Sequence, residues 1–208
     1  MKRILYIHGI GSTGGGNTVD RIRKTFTNVI VDSPEIPTMP KEAFKLIEKM
    51  VTENHYDIII GTSLGGFYAM MISGIPKILI NPAMKAVEDI PTAIGYGEHE
   101  YLRERKSSEK TYTINDNYVA ELKYLEDRFF NEWIDNEYIY ETTAIFGTND
   151  TLISHIEDYK NIYKAHNMIT AEFGHRMDNK TFNNVLIPTI EKILNTEKEE
   201  INITLNFV

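Results

Sequence analysis

Three residues of this sequence have the types and the order needed for covalent acyl chemistry. Ser63 sits in Gly61-Thr62-Ser63-Leu64-Gly65, a G-x-S-x-G pentapeptide. Where a strand feeds a helix through such a turn, the serine backbone is strained and its hydroxyl projects above the carboxyl edge of the sheet. The residues two before and two after must be small so that the chains can pass. A serine hydroxyl attacks well only when a histidine takes its proton, and that histidine needs an acid to fix its tautomer. Asp150, in Gly147-Thr148-Asn149-Asp150, and His175, in Gly174-His175, complete the order Ser, Asp, His. The N–H of Leu64 is expected to hold the developing oxyanion, with a second N–H from Ile10 in His8-Gly9-Ile10-Gly11. His8 and Gly9 then border the substrate pocket. Such a set would load an acyl group onto serine and release it to water with neither a metal nor an organic cofactor.

Other chemistries compete for some of these residues. Asn149-Asp150-Thr151 is also turn or helix-capping chemistry. Asp158 is the reserve acid, although it falls inside an expected helix. His55 precedes a strand, and His155 and His166 lie at a helix start and a helix end, where solvated or capping roles are the plainer expectation. His99-Glu100-Tyr101-Leu102-Arg103 begins like H-E-x-x-H, but Arg103 replaces the second ligand and removes zinc geometry. The main rival is dinucleotide binding by an oxidoreductase. Gly9-Ile10-Gly11-Ser12-Thr13-Gly14 fits G-x-G-x-x-G after a first strand, and Asp32 ends the next. Against it stand His8 before the first glycine, a loose Gly14-Gly15-Gly16-Asn17 loop in place of a helix start, and the unexplained Ser63, Asp150 and His175. No Gly-Lys-Ser/Thr follows the glycines, which excludes a P-loop. A catalytically silent fold that binds a ligand or partner is the third possibility, and the intact triad order argues against it.

The elements that must position these residues are legible as alternating strands and helices. Continuous apolar runs predict buried parallel strands at 4–7, 28–32, 57–61, 77–80, 143–147 and 168–173. Helices are expected over 18–26, over 43–51 from the face Ala43, Phe44, Ile47, Met50 and Val51, and over 67–72. Ser154-His155-Ile156-Glu157 has the capping-box pattern and should start another. Thr181 to Leu194 reads as a final helix, kinked or restarted at Pro188. The pattern predicts a parallel sheet with helices on both faces, and both Asp150 and His175 directly follow strands at its carboxyl edge. Asp150 can then reach Nδ1–H of His175 while Nε2 faces Ser63.

The rhythm breaks between 84 and about 117, a polar, tyrosine-bearing stretch without clear periodicity. Tyr118, Leu122, Leu125, Phe129 and Trp133 then trace one helix face. Residues 84–135 are expected to form a cap over Ser63 that favours small acyl groups. Tyr96 and Tyr101 are its candidate pocket walls, together with Tyr112 and Tyr118, whereas Phe129 and Trp133 pack the helix onto the sheet. The tail from Ile201 to Phe207 alternates apolar and polar residues, a strand signature that would add an edge strand or pair two copies in a homodimer.

Length and composition fit one α/β domain over 1–208: 208 residues, 42% apolar and 25% charged. A net charge of −8 argues against nucleic-acid partners and against a polybasic membrane anchor. With no cysteine there is no disulfide, thiolate metal site or cysteine nucleophile. The N-terminal apolar run is too short for a signal peptide, and no stretch matches a membrane span, so a cytoplasmic location is expected.

Taken together, the chain resembles the YqiA-like esterase family of the α/β-hydrolase superfamily. The resemblance rests on Leu5-Tyr6-Ile7-His8-Gly9, Gly61-Thr62-Ser63-Leu64-Gly65-Gly66-Phe67-Tyr68-Ala69, Ile80-Asn81-Pro82-Ala83, Phe146-Gly147-Thr148-Asn149-Asp150 and Phe173-Gly174-His175-Arg176. It implies a three-layer α/β-hydrolase fold with a small cap, acting on small-molecule carboxylic esters or thioesters through Ser63, Asp150 and His175. The glycine richness of 11–16 and the tail beyond Leu194 depart from what the resemblance leads one to expect.

Overall fold

A computed structural model describes residues 1–133 and 141–195. Six strands form one sheet, all neighbours parallel, in the order β2-β1-β3-β4-β7-β8. They are β1 (Lys2–Ile7), β2 (Val29–Asp32), β3 (Ile58–Thr62), β4 (Lys77–Ile80), β7 (Thr142–Gly147) and β8 (Met168–Ala171). Their apolar runs do not alternate with polar residues because both faces are covered. The side-chain period of two still sorts them. Leu5, Ile7, Ile59, Leu79, Ala144 and Phe146 face one core, and Ile4, Tyr6, Ile58, Ile60, Ile78 and Ile145 face the other.

Helices α1 (Asn17–Thr25) and α7 (179–195) close the second face, while α2 (Pro40–Glu53) and α3 (Leu64–Met70) lie on the first. Pro40 stands at the first turn of α2, where its missing N–H costs nothing. Pro188 has a cost inside α7, and the helix absorbs it. α7 opens at Asn179–Thr181, passes through a π turn at Phe182–Leu186 and resumes over 187–195. The expected restart at Pro188 therefore takes the form of a π turn just before it.

Between β4 and β7 the parallel rhythm stops, but the segment is more regular than its composition predicts. It contains α4 (Ala86–Ile94), an antiparallel hairpin of β5 (Gly97–Glu100) and β6 (Thr111–Ile114), and α5 (Asp116–Arg128), which runs into a π turn at Phe129–Trp133. Pro91 inside α4 and the Gly-Glu-His-Glu sequence of β5 hide these elements from pattern reading. The expected face of α5 is the buried one at Tyr118, Leu122, Leu125 and Phe129. Asn115 caps it by accepting from the Tyr118 N–H at 3.0 Å.

Helix α6 (Ile156–Tyr163) starts one residue later than the capping-box pattern implies. His155 occupies the cap position without a capping hydrogen bond, because both its nitrogens are engaged elsewhere. The Trp133 side chain and the alternating tail lie outside the described residues. Among the described residues no helix is long and apolar enough to cross a membrane.

Candidate active site

The turn from β3 to α3 has the geometry its glycines predict. Ser63 adopts φ 54° and ψ −121°, in the left-handed half of backbone space that a non-glycine residue enters only at a cost of about 1–3 kcal/mol. Surrounding hydrogen bonds hold it there. Its N–H donates to Ile80 O at 3.0 Å, and its carbonyl accepts from Gly66 and Ala83 N–H at 2.8 and 3.1 Å. A Cβ on Gly61 would lie 2.4 Å from Gly65 O, and one on Gly65 only 2.2 Å from Ile7 O. A larger residue at Gly61 would push α3 off β3, and one at Gly65 would push it off β1.

Gly9 presses on the same serine. A Cβ there would fall 3.2 Å from Ser63 Cβ. Beside it the N–H groups of Ile10 and Leu64 have no intramolecular partner among the described residues. The loop that carries Ile10 is pinned by His8, which is 6% exposed. Ile36 N–H donates to His8 Nε2 at 3.1 Å, which places the proton on Nδ1, and Nδ1–H donates to Gly9 O at 2.9 Å. Burial drives the imidazole pKa down, helped by the nearby Arg105 charge and opposed by the Gly9 hydrogen bond and Glu35. A neutral His8 with both nitrogens committed is therefore a strut for the loop.

His175 follows β8 and Asp150 follows β7, as expected. His175 Nδ1–H donates to Asp150 Oδ2 at 2.8 Å, and the carboxylate side chain is 1% exposed. The other oxygen, Oδ1, accepts from the N–H groups of Leu152 and Ile153 at 2.9 and 3.1 Å. The turn chemistry of Asn149-Asp150-Thr151 and the pairing with histidine thus coexist, one on each oxygen. Desolvation pushes Asp150 up, but the hydrogen bonds from His175, Leu152 and Ile153 outweigh it and hold the carboxyl below its ordinary value. His175 Nε2 has no hydrogen-bond partner among the described residues, and its side chain is 21% exposed. Asp158 pairs instead with Lys85 at 2.7 Å and with His155 at 2.7 Å. Of the two roles expected for His155, solvated or capping, it takes the cap position of α6 and is not solvated. It is buried between Asp158 and Asp89, the price of fixing α6 to α4 with a polar clasp.

Asn81 is the site residue that sequence reasoning missed. It is 1% exposed, with φ 41°, at the end of β4. Its Oδ1 accepts from Gly147 N–H at 2.7 Å, and its Nδ2 donates to the carbonyls of Gly174 and His175 at 3.1 and 3.3 Å. One side chain thus ties the loops after β4, β7 and β8 together beside the elbow. The Asn81-Pro82-Ala83 segment stands out in the sequence, but nothing in it signals this role.

On the other flank of Ser63 runs a narrow cleft between the loop at 8–12, the segment 36–38, Leu64 and Tyr68 of α3, and the β5–β6 region. Tyr101 lines it, hydrogen-bonded to Thr38 and packed 5.0 Å from Tyr112, centroid to centroid. Tyr96 does not line it and is 57% exposed. The segment reaches the loop directly, since Leu102 N–H donates to Gly11 O at 2.8 Å. Asp32, the acid of the dinucleotide alternative, receives hydrogen bonds from Arg3 and from Tyr56 through its Oδ2. No group of three or more His, Cys, Asp or Glu among the described residues is arranged to hold a metal ion.

The family model of the Uncharacterised protein family (UPF0227) matches residues 3–190. Three solved structures are similar in fold. The monoacylglycerol lipase of Paleococcus ferrophilus has a TM-score of 0.60 at 12% identity, over 93% of this chain and 94% of that one. The alpha/beta hydrolase domain-containing protein 10 from mouse has a TM-score of 0.64 at 14% identity, over 93% and 90%. The thioesterase domain from the curacin biosynthetic pathway has a TM-score of 0.55 at 12% identity, over 93% and 91%. The fold is that of the α/β hydrolases, with a mostly parallel sheet between helices, as the resemblance implied.

Proposed function

The chain belongs to the Uncharacterised protein family (UPF0227), and we propose that it is a serine hydrolase that cleaves carboxylic esters or thioesters of small acyl groups. The observation that carries this reading is the pairing of a strained serine elbow with a buried His–Asp couple whose outer nitrogen is uncommitted, all on one sheet edge. Lipase and thioesterase chemistry in proteins of the same fold supports it.

In the mechanism, Nε2 of His175 removes the Ser63 proton as Oγ attacks the acyl carbonyl. The oxyanion forms between the N–H groups of Leu64 and Ile10, which have no intramolecular partner to give up among the described residues. Asp150 keeps the proton of His175 on Nδ1 and stabilises the imidazolium. That imidazolium then protonates the departing alcohol or thiol, and water repeats the steps on the acyl-enzyme. Residues 84–133 act as a cap, and the tightness of the cleft under the hairpin favours short acyl groups.

A fluorophosphonate should label Ser63 alone, with labelling lost in Ser63→Ala. Inertness of the folded wild type overturns the hydrolase reading. NAD binding by calorimetry in an inert protein would restore the dinucleotide alternative.

A further inference from the structure

Among the described residues, five buried side-chain atoms have no hydrogen-bond partner, and three of them belong to residues that line the cleft beside Ser63: Tyr68 OH, Tyr118 OH and Arg105 Nε. Tyr68 and Tyr118 are 1% and 0% exposed. Leaving a buried hydroxyl unpaired costs about 1–3 kcal/mol, and phenylalanine would fill the same space without that cost. The tyrosines come from different elements, α3 and α5, so no local backbone requirement selects both. Burial holds Tyr68 well above the ordinary phenol value, so it stays a protonated donor at neutral pH. These oxygens lost their water on folding, and a ligand oxygen that reaches them gains a hydrogen bond at little further desolvation cost.

Charge decides what kind of oxygen fits. Arg105 donates to Ile36 O at 2.9 Å, and its Nε lies 3.5 Å from a Glu109 oxygen and 3.7 Å from a Glu35 oxygen. Two carboxylates already balance the guanidinium, so the cleft is not built for an anion. The sheet order decides which part of an ester enters. The cleft opens beside Ser63 on the β1 and β2 side, whereas His175 lies across β4 and β7 at the end of β8. A leaving group must face His175, because the imidazolium protonates it, and the acyl chain is left to run the other way.

We propose that this cleft selects short acyl groups bearing a neutral oxygen substituent, a hydroxyl or keto oxygen, bound by the hydroxyls of Tyr68 and Tyr118. This substrate class rests on the serine hydrolase reading. Hydrolysis of nitrophenyl butanoate and of both enantiomers of nitrophenyl 3-hydroxybutanoate tests it, each rate divided by that of alkaline hydrolysis. Wild type should favour one hydroxy ester by roughly tenfold or more in kcat/KM, and Tyr68→Phe and Tyr118→Phe should each bring that ratio several-fold closer to one. Thermal stability should not fall in either variant, since each loses only an unpaired buried hydroxyl. Equal use of all three esters by wild type, ratios unchanged in both variants, or a fall in Tm of several degrees in both overturns the proposal. So does a preference for a nitrophenyl glutarate over nitrophenyl pentanoate, which would mean that the cleft takes an anion. Failure to hydrolyse any ester overturns the hydrolase reading instead.

Discussion

Two histidine–aspartate clusters stand near each other in the chain, with Asp150 of one just before His155 of the other, and they commit their ring nitrogens differently. His175 gives one nitrogen to one carboxylate, Asp150, and keeps the other uncommitted in a part-exposed position. His155 gives Nδ1–H to Asp158 at 2.7 Å and Nε2–H to Asp89 at 2.8 Å, with its side chain 8% exposed. The difference is one of proton accounting. A histidine with a single acid can be neutral, accept a proton at Nε2 and give it back. A histidine between two acids holds both protons and has nothing to exchange. Desolvation opposes its charge, but hydrogen bonds and attraction from Asp89 and Asp158 overcome it and raise the His155 pKa. A histidine beside an aspartate is therefore not by itself a catalytic sign; the unfilled nitrogen is.

The largest effects should separate the two sites most sharply. His175→Ala should lower kcat on a nitrophenyl ester by roughly five to six orders of magnitude, and Asp150→Asn by roughly four, with Tm little changed for the first. His155→Ala should leave kcat within a few-fold of wild type but cost about 3 kcal/mol of stability in urea melts, because Asp89 and Asp158 lose their shared partner. A crippling Asp158→Asn beside a nearly silent Asp150→Asn would reverse the assignment of the two sites.

An intermediate effect tests whether His175, the proposed base, is held from outside its own loop. Asn81→Ala removes three hydrogen bonds that join Gly147, Gly174 and His175. Losing them should let His175 drift against Ser63 and lower kcat by roughly 10- to 100-fold, with KM much less affected. A variant in which only KM or only Tm moves would show that Asn81 supports the fold without positioning the base.

What the sequence revealed and what it hid follow the same physical division. Ser63, Asp150 and His175 stand out as candidates because each follows a strand, Ser63 at once and Asp150 and His175 after short loops, and strand ends fix position in a parallel sheet. The six strands are readable for the same reason. Asn81 was hidden because its role lies in bonds to backbone atoms 66 to 94 residues away. Of the solvated or capping roles expected for His155, the structure gives it the cap position of α6, but its burial between two acids was hidden because Asp89 comes from α4, a helix that Pro91 conceals. Tyr118 reads both as a helix-face residue and as a candidate pocket wall, and Tyr68 only as part of the elbow motif; spacing cannot reveal that their buried hydroxyls are unpaired.

The smallest effect is the dependence of stability on pH, and its sign differs between the sites. The His155 pKa is raised in the folded protein by its two carboxylates, with Lys85 and Glu88 close by on the α4 side. Its contribution is complete below the unfolded value of about 6.5 and is lost as pH rises through the higher folded value. Asp150 and Asp158 are both lowered, so their contributions are present above about pH 4 and are lost as pH falls through their depressed folded values. Wild type should therefore lose stability as the pH rises from below about 6.5 through the higher folded value of His155, seen as a falling Tm on the alkaline side. His155→Gln keeps the size of the side chain but not the proton, and should flatten that alkaline limb while leaving the acid limb from Asp150 in place. Wild type and this variant are compared at matched ionic strength. Thermal melts of the two proteins across pH 5 to 9 check this, and equal alkaline limbs in both would show that the charge on His155 contributes nothing to holding α6 on α4.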